Sequence, residues 1–250
     1  MSSKAVLDHV AIAALELTDG WDLFSRVLGG AWAYGGDSPG FWWGQVGFTA
    51  GPKIELLTPT GGPDAAFLKR FLATRGAGPH HLNFIVPAIK DTLARVRAVG
   101  IEPVQVSLAN PVWKEAFLHP KDAHGIVIQV AEQSGAPPRH AAPAELPVPG
   151  QPTALALVEH YVADLDGAIR LYSEALDGEI VSRPEAGGPS VAELAWENGA
   201  KLRLVATGPG AGQRLGPLTF TRDGQGFAAA ERSEAAQLAR RLAVAVQLGA

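Results

Sequence analysis

One strand–helix pattern occurs three times in this chain, in residues 7–30, 80–100 and 155–178. Each copy starts with a β-rich apolar run, passes through a short polar turn into an amphipathic helix, and ends at a glycine. Strand-like runs follow each helix, so each copy predicts a βαβββ module of roughly 50 residues. Because one such module leaves a face of its curved sheet unburied, modules have to pair to close a core.

The helix of each copy is predicted by an apolar face and by a glycine at its end. Ile89, Leu93 and Val96 recur at spacings of four and three, which predicts one apolar helix face. The glycines that end the helices are expected in the left-handed conformation of a helix C-cap; they are Gly29, Gly100 and Gly178. After the third copy, residues 214–224 predict a strand and residues 231–248 a long helix, as in a fourth module that stops after its helix.

Residues 132–152 separate the second copy from the third. They are rich in proline, alanine and glycine and have no periodicity, which predicts a semi-extended linker. We therefore expect an α+β protein of paired βαβββ modules in two domains. Residues 1–131 would hold two modules, and residues 153–250 would form a second, degenerate domain.

Composition excludes several classes of function. The chain has no cysteine, which rules out disulfides, zinc–thiolate sites and thiol nucleophiles. Its formal net charge of −4, without a lysine- or arginine-rich run, argues against a nucleic-acid partner. No apolar stretch is long enough to cross a membrane, and the first residues do not resemble a secretory signal. We expect a cytoplasmic protein, a monomer or a homodimer, that acts on a small molecule.

Four residues form a candidate metal site. His9 and His81 occupy equivalent places on the first strands of modules one and two, and Glu55 and Gln129 follow them by 46 and 48 residues. Two imidazoles and two side-chain oxygens without thiolates suit Zn²⁺, Fe²⁺, Ni²⁺, Co²⁺ or Mn²⁺, and water in the open positions would make the site catalytic. The alternative is that His9 and His81 pack in the core and Glu55 faces solvent.

At this point the sequence becomes recognisable. The stretches LDHVAIA, IELLTP, GPHHLNFIV and AFLHPKDAHGIVIQV, spread over residues 7–131, resemble the vicinal oxygen chelate superfamily of glyoxalases, bleomycin-resistance proteins and extradiol dioxygenases. Within it, the first domain is most similar to methylmalonyl-CoA epimerase. The resemblance implies paired βαβββ modules around one divalent metal, with His9, Glu55, His81 and, as a substitution, Gln129 as ligands.

Two departures from the family pattern bear on chemistry. The family usually has glutamate at the place of Gln129, where glyoxalase I also uses it as a base; glutamine can ligate through its carbonyl oxygen but cannot take a proton. The epimerase base is expected to be a glutamate near the position of Trp42. No carboxylate lies between Gly40 and Lys53, so epimerisation by the family's route is not expected.

Several side chains are candidates for substrate binding. Trp42 and Trp43 are adjacent, so a strand would point them to opposite faces and one of them could form a stacking wall inside the cup. Trp113 is a further candidate for the wall, and Asn83 lies two residues after His81 on the same face. The alternatives are core packing for the tryptophans and an ordinary polar position for Asn83.

The third copy lacks the ligands. Leu157 and Arg203, again 46 residues apart, stand where His9 and Glu55 stand in the first copy, and neither can hold a divalent metal. The second domain is therefore expected to be metal-free. We expect a salt bridge at Arg203, with anion binding as the alternative. His160 falls on the opposite strand face from Leu157 and is expected to be a packing or surface residue.

Three functions remain open. The first is a metal-dependent lyase or isomerase that acts on a small carbonyl or acyl compound through an enolate-like intermediate. The second is a non-haem iron dioxygenase that cleaves an aromatic ring, with Glu55 as the carboxylate of the metal triad. The third is a protein that sequesters a drug or another ligand.

Overall fold

The structure, a computed structural model, describes residues 3–62, 65–135, 140–184, 190–208, 212–224 and 226–249. Its strands form an eight-stranded and a six-stranded sheet. The first sheet contains β1 (Val6–Ala13), β2 (Ala31–Ser38), β3 (Phe41–Gly47), β4 (Lys53–Pro59), β5 (Gly78–Ile85), β6 (Val104–Ser107), β7 (Trp113–Leu118) and β8 (Val127–Gln133). The second contains β9 (Ala154–Val162), β10 (Glu179–Ser182), β11 (Val191–Ala195), β12 (Lys201–Ala206), β13 (Arg214–Thr221) and β14 (Val246–Leu248).

The helices connect the strands of each module. They are α1 (Leu17–Trp21), α2 (Ala66–Arg75), α3 (Ile89–Ala98), α4 (Leu165–Arg170) and α5 (Ala229–Arg241). Helices α1 and α4 both continue as π-helical segments, Asp22–Val27 and Leu171–Ala175. Among the described residues, no helix combines the length and the apolar character needed to cross a bilayer.

The strand order confirms the predicted modules. The order is β2-β3-β4-β1-β5-β8-β7-β6 in the first sheet and β10-β11-β12-β9-β13-β14 in the second. In modules one to three the first strand pairs in parallel with the last strand, as β1 with β4, β5 with β8 and β9 with β12. The predicted α+β class with paired βαβββ modules is confirmed.

The fourth module differs from its prediction. Helix α5 ends at Arg241, whereas the sequence predicted a helix to residue 248. The last residues form β14, which runs parallel to β13. Val244, Val246 and Leu248 alternate with other residues in a period of two, which favours a strand over a continued helix.

Two of the three expected glycine caps are present. Gly29 (φ +69°) and Gly100 (φ +89°) adopt the left-handed conformation. The prediction for Gly178 is wrong, because Asp177 takes the left-handed position with φ +56°. Glycine is required at position 178 because any side chain would clash with its neighbours. A Cβ there would lie 2.8 Å from the Trp196 ring and 2.8 Å from the carbonyl oxygen of Tyr172.

The chain folds into two compact units that interleave along the sequence. The first unit contains residues 1–8, 81–136 and 157–216, and the second contains residues 9–80, 137–156 and 217–250. The strands of each sheet come from one of the two predicted domains, whereas each compact unit contains residues from both predicted domains. The domain division at 1–131, 132–152 and 153–250 stays a prediction.

Aromatic contacts stabilise each unit. In the first unit, Phe84 packs against the rings of Tyr172 and Trp196, at 6.0 and 5.4 Å between ring centroids. In the second unit, Phe220 packs against Phe24 and Phe48, at 6.3 and 5.1 Å. Module two therefore shares a core with module three, and module one shares a core with module four.

Part of the predicted linker is fixed to the second unit. The Gly150 amide donates a hydrogen bond to the Ser25 carbonyl at 3.0 Å, and the Trp32 indole donates to the His140 carbonyl at 3.0 Å. The backbone of Gln151 passes so close to Gly29 that a Cβ on Gly29 would lie 2.0 Å from its carbonyl oxygen. Residues 136–139 of the linker lie outside the described residues.

His160 is a packing residue, as predicted. It is fully buried in the first unit. The Tyr172 hydroxyl donates to its Nδ1 at 2.9 Å, and its Nε2–H donates to the His124 carbonyl at 2.8 Å. Both ring nitrogens are thus used by the neutral imidazole, and burial lowers the pKa of His160 to about 4.

The low pKa of His160 makes the folded protein less stable as the pH falls below the pKa of an unfolded histidine. In the unfolded chain a histidine takes up its proton near pH 6.5, whereas folded His160 stays neutral down to about pH 4. The free energy of unfolding should fall by about 1.4 kcal/mol per pH unit from this residue as the pH drops through that window. Urea unfolding between pH 4.5 and 7.5 should give a shallower pH slope for His160→Asn than for wild type. Equal slopes would contradict the assignment; Tyr172→Phe, which keeps the histidine, is the control.

Candidate metal centre

The first part of the site lies within module one. The parallel register of β1 and β4 sets Glu55 opposite Ala11, which shares a strand face with His9 two residues earlier. His9 is 3 % exposed and Glu55 is 7 % exposed. His9 Nε2 lies 3.5 Å from Glu55 Oε1. A buried imidazole and a buried carboxylate thus face each other across neighbouring strands.

Module two repeats this register. Gln129 on β8 lies opposite Asn83 on β5, which again is two residues after the histidine, His81. Glu55 and Gln129 therefore hold equivalent places relative to His9 and His81. His81 is 6 % exposed and Gln129 is 9 % exposed, so both are buried within the first unit.

The donor set fits a divalent metal. Ligand bonds of about 2.0–2.2 Å at tetrahedral angles separate two ligand atoms by about 3.4 Å, and His9 Nε2 and Glu55 Oε1 are 3.5 Å apart. Within the second unit, His9 and Glu55 present one nitrogen and one oxygen that could hold the same ion. Ligation of that ion by His81 stays a prediction. Nitrogen and oxygen donors without thiolates suit Zn²⁺ and its first-row neighbours. The identity of the metal and ligation by Gln129 stay predictions.

Gln45 is a functional candidate that the sequence reasoning missed. It lies on β3 directly opposite Glu55 and is 2 % exposed. Its amide nitrogen donates to Glu55 Oε2 at 2.7 Å and lies 3.2 Å from His9 Nδ1. The signal in the sequence was weak: a single amide residue in the otherwise apolar run FWWGQVGF, two residues after Trp43.

Gln129 belongs to a chain of hydrogen bonds in the first unit. Its amide nitrogen donates to Glu115 Oε2 at 2.7 Å, and its Oε1 accepts from the Asn83 amide at 2.8 Å. The Trp113 indole donates to the same Glu115 oxygen at 2.9 Å. Because an ionised carboxylate only accepts, Glu115 fixes the direction of the whole chain. Glu115 was not among the sequence-predicted residues; Trp113 and Asn83 were.

The two adjacent tryptophans point to opposite faces of β3, as strand geometry predicts. Trp42 packs on the side of Trp21 and Trp32, at 5.6 and 6.1 Å between ring centroids. Trp43 shares the face of Gln45 and lies opposite Leu57. Substrate binding by Trp42, Trp43, Asn83 and Trp113 stays a prediction.

Helix α2, which the sequence reasoning did not predict, contributes to the face of Trp43. Its Leu68 joins a buried cluster with Ala11, Ala13 and Leu57 from β1 and β4. Four partly buried side chains pack against this cluster: Phe41, Trp43, Phe71 and Leu72. The strand face that carries His9 is therefore apolar and aromatic beyond the metal ligands.

Module three has the same strand register as modules one and two, but an arginine stands in the place of the metal-ligand candidate. Arg203 on β12 lies opposite Glu159 on β9, as Glu55 lies opposite Ala11. The Arg203 guanidinium pairs with Glu159 at 3.2 Å and with Glu193 at 2.6 Å. A fixed cation between two carboxylates thus occupies the position of a metal ligand. This is the salt bridge that the sequence predicted.

The ion pairs of Arg203 should be measurable as stability. Arg203→Met leaves two carboxylates facing each other without their cation. Because the arginine side chain is 37 % exposed, we expect a modest loss of about 1–2 kcal/mol in the free energy of unfolding. Urea denaturation is the measurement. The same substitution in a Glu193→Gln background should cost less; an equal cost in both backgrounds would show that the ion pair contributes nothing.

Known proteins resemble this chain in sequence and in structure. The mitochondrial methylmalonyl-CoA epimerase of Dictyostelium discoideum is 33 % identical over 135 residues, which is 51 % of this chain and 78 % of the relative. The methylmalonyl-CoA epimerase structure from Mycobacterium tuberculosis is 24 % identical, with a TM-score of 0.46, over 54 % of this chain and 93 % of its own. A mutant of 4-hydroxymandelate synthase from Streptomyces coelicolor is 14 % identical, with a TM-score of 0.61, over 95 % of this chain and 76 % of its own.

The Dictyostelium relative is an enzyme, in agreement with the prediction that this chain is one. The likeness to 4-hydroxymandelate synthase extends over both sheets and supports the same fold for nearly the whole chain. The glyoxalase-like domain family matches residues 7–176, which is more than half of the sequence. The chain therefore belongs to the glyoxalase-like domain family of the vicinal oxygen chelate superfamily.

Proposed function

We propose that the protein is a metal-dependent enzyme of the lyase or isomerase type, which acts on a small carbonyl or acyl compound through an enolate-like intermediate. The observation that carries the proposal is the buried pair of His9 and Glu55, whose facing atoms are separated like two ligands of one ion. His81 and Gln129 repeat the arrangement in module two at the same register. When bound, the metal would supply Lewis-acid stabilisation of negative charge on substrate oxygens.

The charge of the ligand residues bears on the class of substrate. His9, His81 and Gln129 are neutral ligands, so Glu55 brings the one negative charge of the four. A 2+ ion held by this set keeps a net charge of +1, which favours an anionic substrate that offers two oxygens, such as an enolate. Burial of the ligand residues keeps bulk water away and strengthens this attraction.

The surrounding side chains hold the ligands in place. Gln45 donates to Glu55 and fixes the orientation of its carboxylate. Glu115 and Asn83 together fix the orientation of the Gln129 amide. Such supporting hydrogen bonds commonly change metal affinity or activity by about 10–100-fold.

We do not propose methylmalonyl-CoA epimerisation by a carboxylate base on β3. The residue of β3 that lies beside Glu55 is Gln45, whose amide cannot accept a proton as a base would. This accords with the absence of any carboxylate between Gly40 and Lys53. The proposal is therefore limited to the reaction class.

Metal binding is the first test. Protein stripped with a chelator should take up one Zn²⁺ per chain, followed by calorimetric titration and elemental analysis. His81→Ala should weaken binding by more than about 100-fold, because it removes a direct ligand and not merely a supporting hydrogen bond. Its circular dichroism and thermal unfolding should stay close to those of wild type.

His119→Ala, which alters a histidine on the exposed β7–β8 loop, is the matched control. Retained affinity in His81→Ala, or no uptake by wild type between about pH 6 and pH 8, would reject the site. Unfolding of His81→Ala would favour a packing role for that histidine.

A ring-cleaving, non-haem iron dioxygenase is the second candidate. It is favoured by the aromatic side chains that share the strand face of His9, namely Trp43 and Phe41, since flat rings stack on such walls. Elemental analysis of protein as purified, with oxygen uptake on catechols, separates the candidates. Iron with oxygen uptake would support the dioxygenase. Absence of any metal would support a ligand-sequestering protein.

Gln129 should determine whether glyoxalase chemistry occurs. We expect negligible conversion of the methylglyoxal–glutathione hemithioacetal by wild type, because the amide supplies no base on the metal. Gln129→Glu alone would set a carboxylate against Glu115, since the two side chains now share a hydrogen bond of 2.7 Å. Gln129→Glu with Glu115→Gln keeps that bond and moves the charge to the metal.

The double variant should bind Zn²⁺ more tightly than wild type, and a gain of base catalysis would be worth about 10²–10⁴-fold. Calorimetry measures the first effect, and the absorbance of the thioester product measures the second. Robust wild-type turnover would show that Gln129 does not mark a changed chemistry, and an ordinary glyoxalase assignment would follow.

A further inference from the structure

Gln45 presents its amide nitrogen, and not its oxygen, to the neighbouring imidazole. That nitrogen donates to Glu55 Oε2 at 2.7 Å, and it lies 3.2 Å from His9 Nδ1. The carboxylate determines this orientation, because a turned amide would put oxygen against oxygen. An amide NH₂ only donates, so His9 Nδ1 must accept. The proton of the neutral His9 ring therefore sits on Nε2.

A metal would need the opposite tautomer. The His9 atom placed to ligate is Nε2, which lies 3.5 Å from Glu55 Oε1. A ligating nitrogen has to offer a lone pair, so the ring proton must then sit on Nδ1. The Nδ1–H of a ligating histidine in turn requires a hydrogen-bond acceptor. The amide nitrogen of Gln45 cannot be that acceptor.

The acceptor is present on the same side chain. Gln45 Oε1 is buried and accepts no hydrogen bond from the described residues. Turning the amide by half a rotation would bring this oxygen to His9 Nδ1. Glu55 Oε2 would lose its amide donor and face the amide oxygen instead, and the positive charge of the bound ion on the Glu55 carboxylate would offset this repulsion.

We infer that Gln45 is a positioning residue with two amide orientations, which selects the Nε2–H tautomer of His9 without metal and the Nδ1–H tautomer with metal. In the change, Nε2 gives a proton to solvent and Nδ1 takes one, so the ring stays neutral. The inference rests on the proposed metal site. It assigns to this chain a residue that governs metal loading without touching the metal.

Nitrogen NMR of the imidazole rings tests the inference directly. Protein labelled with ¹⁵N in its histidines is compared with and without Zn²⁺ at one pH, using long-range proton–nitrogen correlations. We expect His9 to carry its proton on Nε2 in the zinc-free protein and on Nδ1 in the zinc-loaded protein. His160 is the internal reference, because it should remain the Nε2–H tautomer in both states.

Two substitutions add an affinity measurement. Gln45→Leu removes both donor and acceptor and should weaken Zn²⁺ binding by about 10–100-fold. Gln45→Glu keeps an acceptor for Nδ1–H, and the carboxylate that it sets against Glu55 at the present 2.7 Å contact repels Glu55 less when a cation is bound. It should therefore bind Zn²⁺ more tightly than Gln45→Leu, with His9 as the Nδ1–H tautomer when zinc is bound. Thermal unfolding confirms that each variant folds. Equal losses in both variants would indicate a packing role and overturn the inference.

Other outcomes separate the two proposals. A zinc-free wild-type spectrum with the His9 proton on Nδ1 would overturn the role of Gln45, whatever the metal affinity. Zinc binding with His9 unchanged as the Nε2–H tautomer would overturn it as well. Failure of wild type to bind zinc would reject the proposed metal site and, with it, the amide orientation proposed for the zinc-loaded protein. The zinc-free spectrum would still show which His9 tautomer Gln45 selects without metal.

Discussion

The parallel pairing of the first and last strands within each module is the constraint on which the site depends. It places a residue opposite one that lies 44 to 46 positions earlier in the sequence, and in modules one, two and three that partner falls at the same register position of the first strand. That shared register makes Glu55, Gln129 and Arg203 equivalent. The chemistry of each module then follows from which side chain the sequence supplies at that place.

The sequence was sufficient for the modules and for the metal-ligand candidates because both depend on local pattern. Strand alternation and helix periodicity can be recognised within single segments, and the spacing between copies can be counted along the chain. The resemblance to a known family implied the same candidate ligands as that spacing. The strand ending at Leu248 was missed for a related reason. The helical pattern that begins at residue 231 is clear up to Arg241, and the short alternation of apolar residues after it is a weak signal for a strand.

Gln45 and Glu115 were missed for another reason. Their importance lies in hydrogen bonds to partners on other strands, which no spacing within β3 or β7 reveals. The same holds for the pairing of modules. Aromatic contacts join module one to module four and module two to module three, whereas the order of modules along the chain suggested that each domain would form its own core. Side-chain packing between distant segments decides such arrangements.

The guanidinium of Arg203 has a consequence for the supply of metal. An ion that binds only the folded protein stabilises it by mass action, so the modules with His9 and His81 would gain stability in proportion to the logarithm of the free metal concentration. Arg203 is a cation attached to the chain by covalent bonds, and no chelator or competing ion can remove it. The second sheet thus keeps the positive charge at its equivalent position when the metal concentration is low. The first sheet would lose its ion, and the stability that the ion adds, under the same conditions.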